Sequence, residues 1–281
     1  MDSAAQDRVR TADGALLLRR LWATPAGAAP RARALLVHGL GEHLGRYEEL
    51  GVALAGRGIE TRGVDLRGHG LSSGRRGHVR RWQDYHFDLD AAAPPPPFAV
   101  LAHSMGGLVA LDWTRTRAAG AGAGPPPAAL VLSGPLLDVA VRVAPWKVAL
   151  SGILSRLAPG LRIPTGIPLG DLCTDPAAVA RFARDPLRGA SSTPRWYTEM
   201  QAARRRVLPA LPRLGMPAQF HLAGDERIVS GPAVATGHAS WGGPKELRRW
   251  PGARHEILQE SCRGDVIRHM AAFLLENAHA T

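Results

Sequence analysis

The chain is expected to be an α/β protein: a mostly parallel central sheet flanked by helices, with a helical cap inserted after the sixth strand. Three observations predict this. Strand-like runs recur at 34–37, 59–65, 98–102, 129–132, 218–223 and 247–250, most of them separated by helix-period sequence. That rhythm stops at about residue 136, and no buried-strand candidate appears from 137 to 214. Between strand-like and helix-like sequence in FAVLAHSMGGLVAL stands Ser104, on a tight turn whose plainer reading is an ordinary strand–helix connection. The expected organisation is a core of residues 1–136 and 215–281 and a cap of 137–214, within the size one large domain can reach at 281 residues.

The elements justify themselves in order. Residues 8–22 alternate (Val9, Leu16, Leu18, Leu21) as a hairpin turning at Asp13 and Gly14. The run at 34–37 leads directly into HGLGEH, where glycines let the peptide turn inward and make the Leu40 amide a candidate anion donor. A glycine-rich turn without chemistry is the plainer reading of that loop. A helix over 47–57 ends at Gly58. The strand at 59–65 opens into LRGHGLSSG, at the strand end where open α/β sheets carry their sites. His69 in this loop is expected to be buried and structural, not a base. The amphipathic stretch 82–93 is broken by four prolines at 94–97.

At the serine turn the backbone must fold back on itself, so the positions two before and two after Ser104 must be small. Ala102 and Gly106 meet that demand, and Gly107 allows the following helix to pack close. Such a turn projects the hydroxyl beyond the sheet. It also leaves the Met105 N–H at the positive end of a helix, where a developing oxyanion is stabilised.

Helices are expected near 143–158, 176–184 and 194–207. Trp146, Leu150, Ile153, Leu154 and Leu157 form an apolar stripe at helical spacing, expected to pack on the main domain. An acyl-chain tunnel or a membrane-touching lid is the alternative. Glu42 and Arg46, four apart, are expected to form a structural pair. Beyond the insertion, a strand at 218–223 ends in GDERIV, a helix follows over 234–241, and a strand at 247–250 ends in PGARHEILQE before a final helix over 265–277. An acid and a histidine thus each follow a late strand. A serine hydroxyl is a weak nucleophile unless a base accepts its proton, and the base needs a carboxylate to hold its tautomer. His255 is the candidate base, and Glu226 or Asp225 the acid.

HGLGEHLGRYEEL, DLRGHGLSSGRRGHV, AHSMGG, the DPL of residues 185–187 with RWYTEM behind it, and PGARHEILQE together resemble the monoacylglycerol lipase/lysophospholipase group of α/β-hydrolases, over nearly the whole chain. The order serine, acid, histidine is the one that fold uses. The resemblance implies Ser104 as nucleophile, His255 as base and the amides of Leu40 and Met105 as oxyanion hole. It implies hydrolysis of monoacylglycerols, lysophospholipids or related carboxylic esters through an acyl-serine, with no metal or organic cofactor. Two departures stand out. Ala102 replaces the first glycine of the G-x-S-x-G signature, and Glu226 occupies the slot before Arg-Ile-Val where the family has aspartate. Glu226 is favoured as the acid, and Asp225 reaches if the loop shifts by one residue. Hydrolysis of amides, lactones or other non-lipid esters, and a non-catalytic ligand sensor, are the competing functions.

A formal net charge of +11 and a pI near 11.1 raise the question of anionic partners. The excess is arginine, since Lys147 and Lys245 are the only lysines, and its doublets are dispersed without an aromatic platform. That argues against nucleic acid and leaves weak peripheral contact with anionic membrane. Cys173 and Cys262 lack metal spacing and are expected as reduced, buried thiols. The polar start MDSAAQDRVR has no apolar core of a secretory signal, and no run approaches a membrane span, so a cytoplasmic, at most membrane-associated, protein is expected.

Overall fold

The computed structural model describes residues 4–26, 28–140 and 145–279. β1 (Ala5–Arg10) and β2 (Leu16–Trp22) form the expected antiparallel hairpin, Arg10 opposite Leu16. β3 (Ala32–Val37), α1 (Glu48–Ala55), β4 (Ile59–Val64), α2 (Asp84–Ala92), β5 (Ala99–His103), α3 (Met105–Ala118) and β6 (Ala129–Ser133) then alternate as predicted. The predicted helix over 47–57 is shorter as an α-helix. A 3₁₀ turn, Leu44–Tyr47, leads into it because the His43 side chain accepts the Gly45 N–H at its start.

Between β6 and the next strand of the main sheet lie α4 (Pro145–Leu157), β7 (Ile163–Pro164), α5 (Leu169–Leu172), α6 (Pro176–Arg184), β8 (Ser191–Ser192) and α7 (Pro194–Val207). α6 and α7 fall where expected, each started by a capping side chain, Asp175 and Thr193, with proline at the first helical position. α4 matches the helix expected over 143–158, of which 143 and 144 lie outside the described residues. β7 and β8 form a small, separate antiparallel pair.

β9 (Ala218–Ala223), α8 (Gly231–Ser240), β10 (Lys245–Trp250) and α9 (Arg263–Asn277) complete the fold. The main sheet has eight strands in the order β1-β2-β4-β3-β5-β6-β9-β10, parallel throughout except where β2 meets β1 and β4. Its central strands are buried on both faces, which is why they read as continuous apolar runs. Leu35, Val37, Val100 and Leu130 face α2 and α3, packing with Leu89, Leu108 and Trp113. Leu36, Leu101 and Val131 face α1 and α9, packing with Leu54, Met270 and Leu274. Each such side chain contributes roughly 2 kcal/mol by leaving water.

Two expectations need correction. The apolar stripe of α4 does not pack on the sheet domain: Trp146, Ile153 and Leu157 are 64%, 56% and 80% exposed. α4 leans on α7 through a different face, where the buried Ser155 hydroxyl meets Thr198 Oγ1 at 2.8 Å and its carbonyl accepts from Arg195 at 2.9 Å. Ile153 and Leu157 are left exposed, while Trp146, Leu150 and Leu154 border a cleft shared with Pro194 and Tyr197 of α7. Of the cysteines, both free, Cys173 is buried but Cys262 is only half-buried, because it caps α9 at the surface.

Candidate active site

Ser104 sits between the C-terminal end of β5 and the start of α3 with φ +52° and ψ −121°, the one positive φ among the described non-glycine residues. That conformation costs a non-glycine residue on the order of 1–3 kcal/mol and persists only where its surroundings over-determine it. Here the Ser104 N–H donates to the Ser133 carbonyl at 2.9 Å, and its own carbonyl accepts from Gly107 and Leu136. A Cβ at Gly106 would stand 2.5 Å from the carbonyl oxygens of Val37 and His38, so only glycine lets α3 leave the turn this close to β3. Ala102, the departure from the signature, is fully buried in the core beside β3 and β6, where its methyl is accommodated.

The loop after β3 comes up against this turn. A Cβ on Gly39 would lie 3.2 Å from the Ser104 Cβ. The buried Glu42 carboxylate holds the Gly39 N–H at 2.8 Å and the Tyr47 hydroxyl at 2.6 Å. His38 fixes the other end: its Nε2 accepts the Leu66 N–H at 2.9 Å, so Nδ1 carries the proton and donates to the Gly39 carbonyl. Leu40 and Met105 both line the resulting cavity, and among the described residues neither amide has a protein acceptor.

His255 and Glu226 arrive from the far half of the sheet. His255 Nδ1 lies 2.9 and 3.0 Å from the two Glu226 carboxylate oxygens, both side chains being almost fully buried. The backbone N–H groups of Ile228 and Val229 donate to the same carboxylate. A donating Nδ1–H leaves Nε2 free to accept. Asp225, the alternative acid, points outward and is held by Arg227 at 2.8 Å and Arg254 at 3.3 Å. Of the two carboxylates the sequence offers, Glu226 faces the imidazole and Asp225 does not.

Ser104, Met105, Leu40 and His255 share the wall of one cavity of about 480 Å³. Leu136, Trp196, Tyr197, Met200 and Ile228 supply an apolar part of that wall. His69 does not reach it. Buried and hydrogen-bonded to the Arg67 carbonyl at 3.1 Å, its ring is pushed down by desolvation to a pKa of about 3, as suits a structural histidine.

Charge is unusually dense behind the wall. Arg46 pairs with Glu42 at 3.5 Å, as the sequence spacing predicts, and also binds Glu256, the residue after His255. Its guanidinium stacks over the Phe182 ring of α6 at 3.9 Å. The pair is thus more than a helix-surface contact: it ties the loop after β3 to the histidine loop and to the insertion, and all three charged residues line the cavity. Burial pushes the Glu256 carboxyl up to about 8, with Glu42 adding to the rise and Arg46 opposing it. His103, beside Ser104, lies 4.7 Å from His255 ring to ring, and burial lowers it to about 4, so it stays neutral. Neither His103 nor Glu256 was singled out from sequence, although each adjoins a residue that was.

For His255 burial disfavours the charged form, but the charge and hydrogen bond of Glu226, with Glu256 and Glu42 beyond it, outweigh burial and raise its pKa above 6.5. For Glu226, burial is likewise outweighed, by His255 and the two backbone donors, so it stays ionised. A base must be unprotonated to accept a proton, so kcat/KM for ester hydrolysis is expected to rise with pH through a midpoint above 6.5. A pH–rate profile checks this, and a midpoint at or below that of free imidazole would contradict it.

The chain is similar to known proteins over most of its length. A family model described as "Serine aminopeptidase, S33" matches residues 28–262. Phospholipase YtpA of Bacillus subtilis is 30% identical over 253 residues, covering 87% of this chain and 95% of that protein. The monoglyceride lipase of Mus musculus is 30% identical over 258 residues, covering 89% of this chain and 82% of its own. Among solved structures, a monoacylglycerol lipase of Paleococcus ferrophilus superposes with a TM-score of 0.83 at 26% identity, over 92% of this chain and 98% of that one. With the serine turn, the paired histidine and acid and the eight-stranded sheet in place, the chain belongs to the serine aminopeptidase S33 family of α/β-hydrolases and resembles its monoacylglycerol lipase members.

Proposed function

We propose that this protein is a serine carboxylester hydrolase of monoacyl lipids, with Ser104 as nucleophile, His255 as general base and acid, and Glu226 as the carboxylate that orients it. The observation that carries the reading is the Glu226–His255 contact at 2.9 Å, with His255 and Ser104 on the wall of one cavity that is partly apolar. Ser104 Oγ attacks the ester carbonyl while His255 Nε2 takes its proton, and the resulting oxyanion accepts from the amides of Leu40 and Met105. Collapse breaks the C–O bond to the alcohol, which leaves with the proton from His255. Water then attacks the acyl-serine, its proton passing to the same nitrogen, and the fatty acid departs.

Residues 137–214 act as a cap over a core of 1–136 and 215–281. The relatives named as lipases and a phospholipase support monoacylglycerols and lysophospholipids as the substrate class. Among the described residues no helix is long and apolar enough to cross a membrane. The outward apolar stripe of α4 and the net charge of +11 support a cytoplasmic enzyme that touches an anionic bilayer with its cap. The test combines a fluorophosphonate probe with rates on p-nitrophenyl esters and monoacylglycerols of increasing chain length. A Ser104 adduct and a rate that climbs with chain length are expected. A flat profile removes the lipid reading, and no adduct removes the hydrolase.

A further inference from the structure

Three arginines line the cavity: Arg46, Arg188 and Arg227. Two are neutralised. Arg46 is held by Glu42 and Glu256, and Arg227 by Asp225 and Asp171. Arg188 differs: it is half-buried, and among the described residues its guanidinium has neither a carboxylate nor a hydrogen-bond partner. It is near enough for its charge to bear on Glu256, beside His255.

The backbone on either side of Arg188 is firmly held. Asp185 accepts from His43 Nε2 at 2.9 Å and from the Leu187 N–H at 2.9 Å. Immediately after Arg188, the Gly189 N–H donates to the Gly41 carbonyl at 2.9 Å. The two chains approach so closely that a Cβ on Gly41, at φ +73°, would stand 2.0 Å from the Gly189 carbonyl oxygen. Arg188 is therefore rooted on the loop that carries Leu40, one residue from the proposed oxyanion donor, while its planar head remains uncommitted.

A half-buried, unpaired guanidinium on the wall of the cavity is free to take an anionic partner, and its fork geometry matches phosphate oxygens in a bidentate contact. We propose that Arg188 is a specificity residue that binds the phosphate of a lysophospholipid head group, one glycerol unit away from the scissile ester. This rests on the hydrolase reading above and narrows it. A neutral monoacylglycerol gains nothing from the contact, whereas a phosphate-bearing leaving alcohol is both bound and oriented by it.

The experiment compares octanoyl lysophosphatidate with octanoyl monoacylglycerol, both monomeric and at one ionic strength, so that neither vesicle binding nor bulk charge enters. The unsubstituted protein is expected to favour the phosphate ester by about tenfold or more in kcat/KM, a difference of the size one charged contact supplies. Arg188→Gln should remove that preference, chiefly through KM, while the monoacylglycerol rate stays within about threefold and so reports that the fold is intact. Arg188→Lys should restore part of it. Arg205→Gln, an exposed arginine away from the cavity, should change neither rate. Equal losses on both esters, no preference to begin with, or the same loss from Arg205→Gln overturns the assignment. If hydrolysis of both esters survives Ser104→Ala, it is the hydrolase reading that fails. If Ser104-dependent hydrolysis proceeds without discrimination, only the role of Arg188 falls.

Discussion

Replacing Ser104 by alanine is expected to lower kcat for ester hydrolysis on the order of 10⁶-fold, by analogy with the serine protease subtilisin, while KM changes little. The physical reason is that the loss is of bond-making, not of binding: the cavity wall and both oxyanion amides remain, so substrate still docks. His255→Ala should cost about as much. The double replacement should cost little more, because a nucleophile without a base and a base without a nucleophile are equally idle. The measurement is steady-state turnover of a p-nitrophenyl ester by the three variants. Additive losses, in which the double variant falls by the product of the single effects, would show that the two side chains do not act as a unit.

The second large effect separates neighbouring carboxylates. Glu226→Gln is expected to reduce kcat by about 10⁴, the size seen when a triad acid loses its charge with the geometry kept. A carboxamide can present an N–H to His255 Nδ1, which drives the ring proton to Nε2, the atom that must accept from Ser104. Loss of the negative charge also removes what holds the imidazole pKa up, so the acid limb of the pH profile should move to lower pH. Asp225→Asn, by contrast, breaks only exposed, solvent-screened pairs to Arg227 and Arg254 that do not touch the imidazole, and kcat should stay within about threefold. Measuring both variants side by side decides the matter: equal losses, or a larger loss at 225, would reject Glu226 as the acid.

Much of the architecture was legible because the central strands are buried on both faces and must be apolar throughout, as in 34–37, 98–102 and 129–132. The serine turn was legible for a related reason: its backbone admits only small neighbours, and that demand is written at Ala102 and Gly106. The direction of the α4 stripe was not, because an amphipathic pattern tells which residues share a face and nothing about what that face meets. Arg188 was not legible either. Its significance is that it lacks a partner, and a missing partner has no sequence signal.

The linear order of residues alone determined the alternation of strands and helices, the strandless insertion, and the succession of serine, acid and histidine at strand ends. It favoured Glu226 as the acid but left Asp225 open, since adjacent residues at the end of a strand project in different directions and only the course of the loop decides which one turns inward. Nor could it tell that Arg46, paired with Glu42 as its spacing predicts, also reaches Glu256 across 210 residues of chain. Those facts belong to the tertiary structure, because burial forces each charge to find its partner in space, and distance in space is set by the sheet and not by position in the chain.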